Sequence, residues 1–199
     1  MIPVILQPEP ADFDGKVRKK GRAWLRKNSI ALSSIPPKAS DLPNYWSSFN
    51  ESLWEAYSGV CAYFAIRFEF LTGASSTDHF IAKSRKAGDA YEWSNYRLAC
   101  IGANRKKHAF DDILDPIGLA PHTFILNLVS GAIRPNPAMS SAQKAAAEKT
   151  ISRLDLDSAR HRKMRARHYA QYVKKDWSLT LLQQESPFVH EEVMRQGLQ

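Results

Sequence analysis

The thirty residues from Asp78 to Lys107 restrict the fold of this chain more than any other segment. An Asp-His pair, Asp78 and His79, is followed by Asn95 and then by Asn104, with Lys107 three residues later. Neighbouring side chains on a strand point to opposite faces. Both members of the pair can therefore reach one site only where a strand ends or bends, and we expect a strand to end there.

The residue types in this segment suit hydrolysis of a phosphodiester bond. A neutral imidazole can take a proton from water near neutral pH, which makes His79 a candidate general base. Asp78 and Asn104 offer hard oxygen donors, which suit Mg²⁺ (or Mn²⁺) better than zinc. We expect Asn95 to clamp the intervening loop through backbone hydrogen bonds. The candidate catalytic residues are His79, Asp78, Asn104 and Asn95, with Asp78 and Asn104 as metal ligands.

An Asp-His pair alone has little specificity, and the order of several segments is more informative. Asp-His-Phe at 78–80, EWSN at 92–95, LAC at 98–100, and Asn104 with Lys107 together resemble the HNH, or ββα-metal, endonucleases. In that family a strand ends in Asp-His and a loop carries an Asn. A short second strand then leads to a helix whose first turn supplies a His or Asn. The resemblance implies a metal-dependent phosphodiester hydrolase.

The predicted fold class is α+β, with a ββα-metal (HNH) core, N-terminal helices and a mostly helical C-terminal region. An N-terminal helical extension with a Pro/Ser-rich linker is expected at 1–58 and the nuclease core at 59–116. A hairpin with further helices is expected at 117–199, packed with the core as one unit. The resemblance thus places all candidate catalytic residues in the central part.

Strands of the core are predicted from their aromatic and β-branched content. We expect strands at 60–70 and 75–80, separated by a turn at Thr72-Gly73, and a short strand at 96–99. A helix is expected to begin between 100 and 104. The strands at 75–80 and 96–99 and the helix after them provide the two strands and one helix of the family's core.

Two cysteines bear on a structural zinc site. Many HNH proteins hold zinc with two Cys-x-x-Cys pairs, whereas the corresponding segments here read Cys61-Ala-Tyr-Phe64 and Cys100-Ile-Gly-Ala103. Each pair lacks its second cysteine, and two thiolates cannot fill the four positions of a closed zinc site. We expect no structural zinc, and both cysteines as small buried apolar residues.

The net charge of +8 favours a polyanionic partner. Phe13, Val17 and Trp24 on one face, among seven cations, predict a basic amphipathic helix at 12–27 with Gly21 as an interruption. This basic face either is solvated or contacts phosphate. A second helix, with its aromatic residues in the core, is predicted at 46–57.

Cations that flank the candidate catalytic residues are the preferred candidates for phosphate contacts. They are Lys83, Arg85, Lys86, Arg105 and Lys107. Lys107 also matches a Lys that the family commonly carries. His108 is expected at the helix surface, with a further ligand or base as the alternative. Asp111 and Asp112 are assigned to charge balance, and Asp115 to the end of the helix.

The sequence pattern of the C-terminal region predicts a β-hairpin with strands at 122–129 and 132–134. Helices follow at 140–154, 157–175 and 186–196, with a Ser cap at the start of the first and third and a Pro in the first turn of the third. The middle helix is strongly basic and suits either nucleic acid or an acidic partner. Its basic residues are Arg160, His161, Arg162, Lys163, Arg165 and Arg167.

The expected function is a metal-dependent endonuclease acting on DNA, with RNA as the other candidate substrate. The alternative is a non-catalytic nucleic-acid-binding or scaffold subunit on a degenerate HNH fold. The flanking segments are similar to HNH subunits of Septu-like and retron-linked antiphage systems, which implies a defence role and an ATPase partner. No apolar run approaches the roughly 20 residues of a membrane span. Two cysteines provide no disulfide framework, so a cytoplasmic protein with no membrane partner is expected.

Overall fold

A computed structural model describes residues 1–72 and 74–199 and has an α+β fold. The described residues form seven α-helices and two antiparallel sheets of two strands each. Their contacts divide into two compact units, and the three-part domain division stays a prediction. Unit 1 comprises Met1–Ile5, Val60–Phe68 and Asp112–Gln199, and unit 2 comprises Leu6–Gly59 and Glu69–Asp111. Gly73, in the turn predicted at Thr72-Gly73, lies outside the described residues.

The N-terminal helix of unit 2 begins as a π-helical turn, Asp14–Arg18, and continues directly as α1, Lys19–Lys27. Phe13, Val17 and Leu25 are fully buried. Their spacing of four and eight residues places them on one helix face, which packs into the core. The basic amphipathic helix expected from the sequence is therefore confirmed, although Trp24, predicted on this face, is only half-buried and Leu25 is buried beside it.

Gly21 does not interrupt α1. It is buried, and a Cβ atom at this position would lie 2.2 Å from Cγ of Tyr91. The absence of a side chain thus lets the helix backbone approach the tyrosine ring closely. The glycine serves packing, and the helix remains continuous through it.

The second predicted helix is also confirmed. A 3₁₀ turn at Tyr45–Phe49 leads into α2, Asn50–Ala56, and the aromatic Trp46 and Phe49 are buried together with Leu53. This segment therefore contributes apolar surface to the core of unit 2.

The central segment of unit 2 forms two strands followed by a helix. Strand β1, Ser75–His79, pairs antiparallel with β2, Tyr96–Cys100, and α3, Ile101–Lys107, follows at once. Asp78 lies opposite Arg97 in the register. The strands expected at these positions and the helix that follows them are confirmed. Strand β1 also ends at the Asp-His pair, as we expected if both side chains are to reach one site.

The strand predicted at 60–70 is wrong. In unit 1, Val60 and Arg67 form only an isolated antiparallel bridge, and the chain between them turns back with Ala65 at φ +51°. All residues from 61 to 65 are buried. The run of aromatic and small residues therefore serves a compact buried turn, where no alternation of exposed and buried sides exists.

The two cysteines differ in burial. Cys61 is fully buried in unit 1, as predicted. Cys100 is only half-buried, because it forms the N-cap of α3, where β2 ends. The predicted burial is thus confirmed for Cys61 and wrong for Cys100.

Unit 1 contains the predicted hairpin and C-terminal helices. Strands β3, Phe124–Leu126, and β4, Ile133–Pro135, pair antiparallel. The four helices are α4, Ser141–Arg153, α5, Ala159–Val173, α6, Leu179–Glu185, and α7, Pro187–Arg195. Helix α6 was missed by the sequence analysis. In the part of the chain that the structure describes, no helix is long and apolar enough to cross a membrane.

Candidate active site

Strand β1, the loop after it and α3 surround a groove in unit 2 with a volume of about 490 Å³. Three of the four predicted catalytic residues, Asp78, His79 and Asn104, line this groove. The end of β1 supplies the Asp-His pair, and the first turn of α3 supplies Asn104. The structure therefore brings together residues that lie 26 positions apart in the sequence.

The His79 ring is oriented by a backbone carbonyl. Its Nε2 atom lies 3.1 Å from the carbonyl oxygen of Ala90, which also accepts a hydrogen bond from the Tyr96 hydroxyl at 2.8 Å. A carbonyl oxygen can only accept, so Nε2 carries the proton and Nδ1 keeps its lone pair. His79 has no other side-chain hydrogen bond within residues 1–72 and 74–199. The basic nitrogen is thus left available.

Two aromatic rings enclose the His79 imidazole. Trp46 and Tyr96 meet it edge-on, with ring centroids 4.7 Å and 5.1 Å away. The side chain is only 9% exposed. Burial lowers the pKa of His79 to about 4, because a charged imidazolium loses its hydration there, and nearby Lys83 acts in the same direction. The imidazole is therefore neutral at pH 7.

Asp78 is buried beside an ammonium group. The carboxylate is 3% exposed, and its Oδ2 atom lies 3.7 Å from Nζ of Lys107, which is itself fully buried. Lys107 also donates to the carbonyl oxygens of His79 at 2.7 Å and Phe80 at 2.6 Å. One side chain from α3 thus fixes both the end of β1 and the acidic residue there.

This geometry bears on the phosphate contact predicted for Lys107. Burial lowers the pKa of the Lys107 ammonium, and the adjacent Asp78 opposes that shift. With its nitrogen directed at two carbonyls and a carboxylate, Lys107 is placed to position the strand end, and in this arrangement it does not face the groove. Burial in the folded protein is a property that the linear pattern could not reveal.

Asn104 is held by a hydroxyl relay. Its Nδ2 donates to Oγ of Ser76 at 3.2 Å, and that hydroxyl donates to the carbonyl oxygen of Ala99 at 2.8 Å. The nitrogen of the amide is thereby assigned to the Ser76 side, which leaves Oδ1 as the other end. Within the described ranges, Oδ1 makes no hydrogen bond. A carbonyl oxygen is thus available to a ligand in the groove.

Asn95 forms the loop clamp that we expected. Its Oδ1 accepts from the N–H of Ile81 at 2.8 Å, and its Nδ2 donates to the carbonyl oxygens of Ile81 at 3.0 Å and Asp89 at 2.9 Å. These bonds tie both sides of the loop together directly after the Asp-His pair. Asn95 is 7% exposed and is not among the residues that line the groove. Its support of the site is therefore indirect.

The donors in the groove fit a hard divalent cation. Within residues 1–72 and 74–199, no three His, Cys, Asp or Glu side chains gather to hold a metal ion. Asp78 and Asn104 offer one carboxylate and one amide oxygen in the same groove. Mg²⁺ is commonly bound by one or two protein oxygens, with phosphate and water completing its shell. Two protein ligands are sufficient for such an ion.

The predicted phosphate-contact residues divide into two groups. Lys83 and Arg105 line the groove, and the Lys83 ammonium lies 4.7 Å from the centroid of the Trp46 ring. Arg85 and Lys86 instead form ion pairs, with Asp111 at 3.4 Å and Asp89 at 2.9 Å, and do not line the groove. Lys83 and Arg105 are therefore the better-placed candidates for phosphate contacts.

The acidic residues after α3 serve local structure. Asp112 pairs with Lys149 at 2.8 Å, and Asp115 accepts from the N–H of Ile117 at 2.9 Å. The ion pair agrees with charge balance for Asp112. The prediction that Asp115 ends the helix is wrong, because α3 already ends at Lys107 and Asp115 lies in the loop that follows.

Two groove residues were not assigned to the site from the sequence. Trp46 was placed in the core, because its helical spacing matches that of a buried face. His108 was placed on the helix surface, and it is exposed, but it lines the groove with φ 46° and ψ −127° at the C-cap of α3. Such a backbone conformation is unusual for a residue with a side chain and is often found at functional sites. The alternative for His108, a ligand or base, thus stays a prediction.

No protein-family model matches this chain, and no curated protein matches its sequence.

Proposed function

We propose that this chain is a metal-dependent endonuclease of the ββα-metal (HNH) type that hydrolyses phosphodiester bonds in DNA, with RNA as the other candidate substrate. The observation that carries the proposal is the neutral, oriented imidazole of His79 in one groove with the oxygen donors of Asp78 and Asn104. The cations Lys83 and Arg105 on the same groove support a polyanionic substrate.

His79 is the general base in this proposal. Its Nε2 proton is held by the carbonyl of Ala90, so Nδ1 accepts the proton of the attacking water. A pKa of about 4 keeps the imidazole unprotonated but makes it a weak base. A bound phosphate would bring negative charge close to the ring and raise its pKa, since an opposite charge favours the imidazolium. Substrate binding therefore strengthens the base.

Asp78 and Asn104 would hold a Mg²⁺ or Mn²⁺ ion. Such an ion supplies positive charge for the phosphate and for the departing 3′ oxygen when it is bound. Lys83 and Arg105 bind the phosphate from the sides of the groove. Cleavage leaves a 5′ phosphate and a 3′ hydroxyl.

A non-catalytic nucleic-acid-binding or scaffold subunit is the second candidate. The observation that favours it is the ammonium of Lys107, which lies 3.7 Å from the Asp78 carboxylate and competes with a metal ion for that group. A degenerate site would keep the fold and the cationic groove without cleavage. The two candidates therefore differ in whether the protein cleaves nucleic acid, while both predict that the groove binds it.

The deciding experiment incubates the purified chain with supercoiled plasmid and with single-stranded DNA and RNA, in Mg²⁺, in Mn²⁺ or in chelator. We expect cutting that needs the metal and is lost in His79→Ala. His122→Ala is the matched control, because His122 belongs to unit 1 and does not line the groove. Cutting that survives both chelation and His79→Ala contradicts the mechanism. Binding without any cutting favours the scaffold subunit.

The resemblance to Septu-like and retron-linked HNH subunits supports a further proposal about biological role. In that setting the chain acts as an effector of antiphage defence together with an ATPase subunit. If so, phage resistance conferred by the complete system disappears in His79→Ala and persists in His122→Ala.

A further inference from the structure

A row of four cations lies along α5 in unit 1. Arg160, Lys163 and Arg167 lie on the helix and Lys174 forms its C-cap, and all four are exposed. Their spacing of three, four and seven residues keeps them on one face of a helix that turns about 100° per residue. We call these four residues the α5 ladder.

The ladder faces away from the contacts that fix α5 within unit 1. Arg165, which is 4% exposed, donates to the carbonyl oxygens of Gly131 at 2.7 Å and Leu156 at 2.9 Å. It is two residues from Lys163 and from Arg167, on the opposite side of the helix. The orientation of the ladder is therefore set by buried hydrogen bonds on the other face.

The charges of the ladder are not neutralised within the protein. Across residues 1–72 and 74–199, none of its four side chains forms an ion pair or a hydrogen bond. The cations of the N-terminal helix are different. Lys16 and Lys19 pair with Asp12 and Asp14, and Arg22 pairs with Glu92. Among the described residues, Lys20, Arg26 and Lys27 form no ion pair. The N-terminal helix therefore mixes neutralised and open charges, while the ladder consists of open charges only.

We propose that the α5 ladder is a second nucleic-acid contact, which binds the phosphate backbone of the substrate independently of its sequence. The choice of nucleic acid as the polyanion rests on the proposed nuclease function. The fifteen residues from Arg160 to Lys174 span about 21 Å of helix, which matches about six phosphates of one strand at about 3.4 Å of axis each. Such cations supply affinity and register without reading bases.

The composition of this face disfavours other anionic partners. Membrane-binding helices carry a broad apolar face opposite their cations, and protein interfaces centre on aromatic anchors. The exposed large apolar side chain among the described residues of α5 is Val173, which lies off the ladder by the helical spacing. A surface of cations alone suits a phosphate backbone.

The test measures binding of a labelled 20-base-pair duplex and of a 20-nucleotide single strand to the full chain in chelator, so no cleavage is needed. The ladder variant is R160Q/K163Q/R167Q. The matched control is K16Q/K19Q/K149Q, which removes the same charge from exposed lysines that are already paired with Asp12, Asp14 and Asp112. Gln keeps helix propensity in both variants. Thermal unfolding confirms that each variant is folded.

We expect the ladder variant to lose at least about tenfold in duplex affinity. The slope of log affinity against log salt concentration should become less negative by about 2.7, which is about 0.9 for each of the three cations removed. The control should stay within about twofold of the parent. Equal losses in both variants would show that only net charge matters and would contradict the proposed contact. Parental affinity of the ladder variant for nucleic acid would also contradict it. Binding to phosphatidylserine vesicles and to polyglutamate is measured in parallel, and a loss seen only with these would contradict nucleic acid as the partner. Because these results do not depend on cleavage, they are separable from failure of the nuclease proposal.

Discussion

At the scale of single residues, the proposed chemistry depends on how His79 is enclosed. One carbonyl fixes the proton on Nε2, and two aromatic rings remove water from the imidazole. The hydrogen bond therefore selects the tautomer that the proposed general base needs, and burial keeps the ring neutral. Trp46, from the segment before α2, is the residue that links the N-terminal part of unit 2 to this effect.

Replacing Trp46 should change the titration of His79. In Trp46→Ala, water reaches one face of the ring, so the pKa of His79 should rise from about 4 towards 6.5. Histidine ring resonances followed by NMR between pH 3.5 and 8 measure this shift. Trp177→Ala is the matched control, because Trp177 stacks on His168, whose pKa burial also lowers to about 4. A rise of His79 in the control, or none in Trp46→Ala, would contradict the account.

The same shifts set how stability depends on pH. The folded pKa of His79 lies below its ordinary value, so the unfolded chain binds more protons between pH 6.5 and 4. This histidine's contribution, on the order of 3 kcal/mol, is complete above pH 6.5 and is lost as the pH falls through 4. Urea unfolding of His79→Gln should accordingly lose less stability than the parent between pH 7.5 and 4.5. An unchanged loss would show that the ring is not buried as described.

Lys107 offers a test of its positioning role. Lys107→Met should lower the free energy of unfolding by about 1–3 kcal/mol, because two buried carbonyls and the Asp78 carboxylate lose their donor. Lys20→Met, at an exposed position on α1, should change it by less than about 0.5 kcal/mol. Chemical denaturation measures both. Normal stability with weakened DNA binding in Lys107→Met would instead restore the phosphate contact predicted from the sequence.

At the scale of elements, the local sequence pattern was enough to predict a helix or strand where one face of the segment is buried, or where two neighbouring segments pair. The periodicity around α1 and α2, and the Asp-His strand with its partner, were predictable for that reason. The segment at 60–70 was not, because buried aromatic residues do not distinguish a strand from a compact turn. The core position of Trp46 was predicted and is confirmed, but its place beside the groove was not predicted. The burial of Lys107 was not predicted either, since both features depend on tertiary packing.

Two glycines in helices make opposite predictions for the same substitution. Gly21→Ala should destabilise the protein by about 1–3 kcal/mol, because the added Cβ would collide with the ring of Tyr91. Gly102→Ala in α3 has nothing within 4 Å of the new Cβ, so the higher helix propensity of Ala should leave stability equal or raised by up to about 1 kcal/mol. Thermal unfolding compares the two. Equal effects would contradict the close approach of α1 to Tyr91.

At the scale of the whole molecule, the positive charge has two kinds of use. Most cations of the N-terminal helix are tied to acidic partners and stabilise unit 2 locally. Others stay open to solvent, at the groove of unit 2 and along the α5 ladder of unit 1. The net charge of +8 does not show that the cations open to a polyanion are concentrated at particular places on the protein. The two available sets predict nucleic-acid binding that weakens steeply with salt.

Chemical rescue of His79→Ala tests the central claim most directly. Single-turnover cleavage of a defined duplex in Mg²⁺ is compared for the parent and for His79→Ala, with and without added imidazole. We expect the variant to lose about 10²–10⁴-fold in rate and to regain part of it with imidazole, because the lost group is a proton acceptor. A variant that cleaves within a few-fold of the parent, with no response to imidazole, would contradict His79 as the general base.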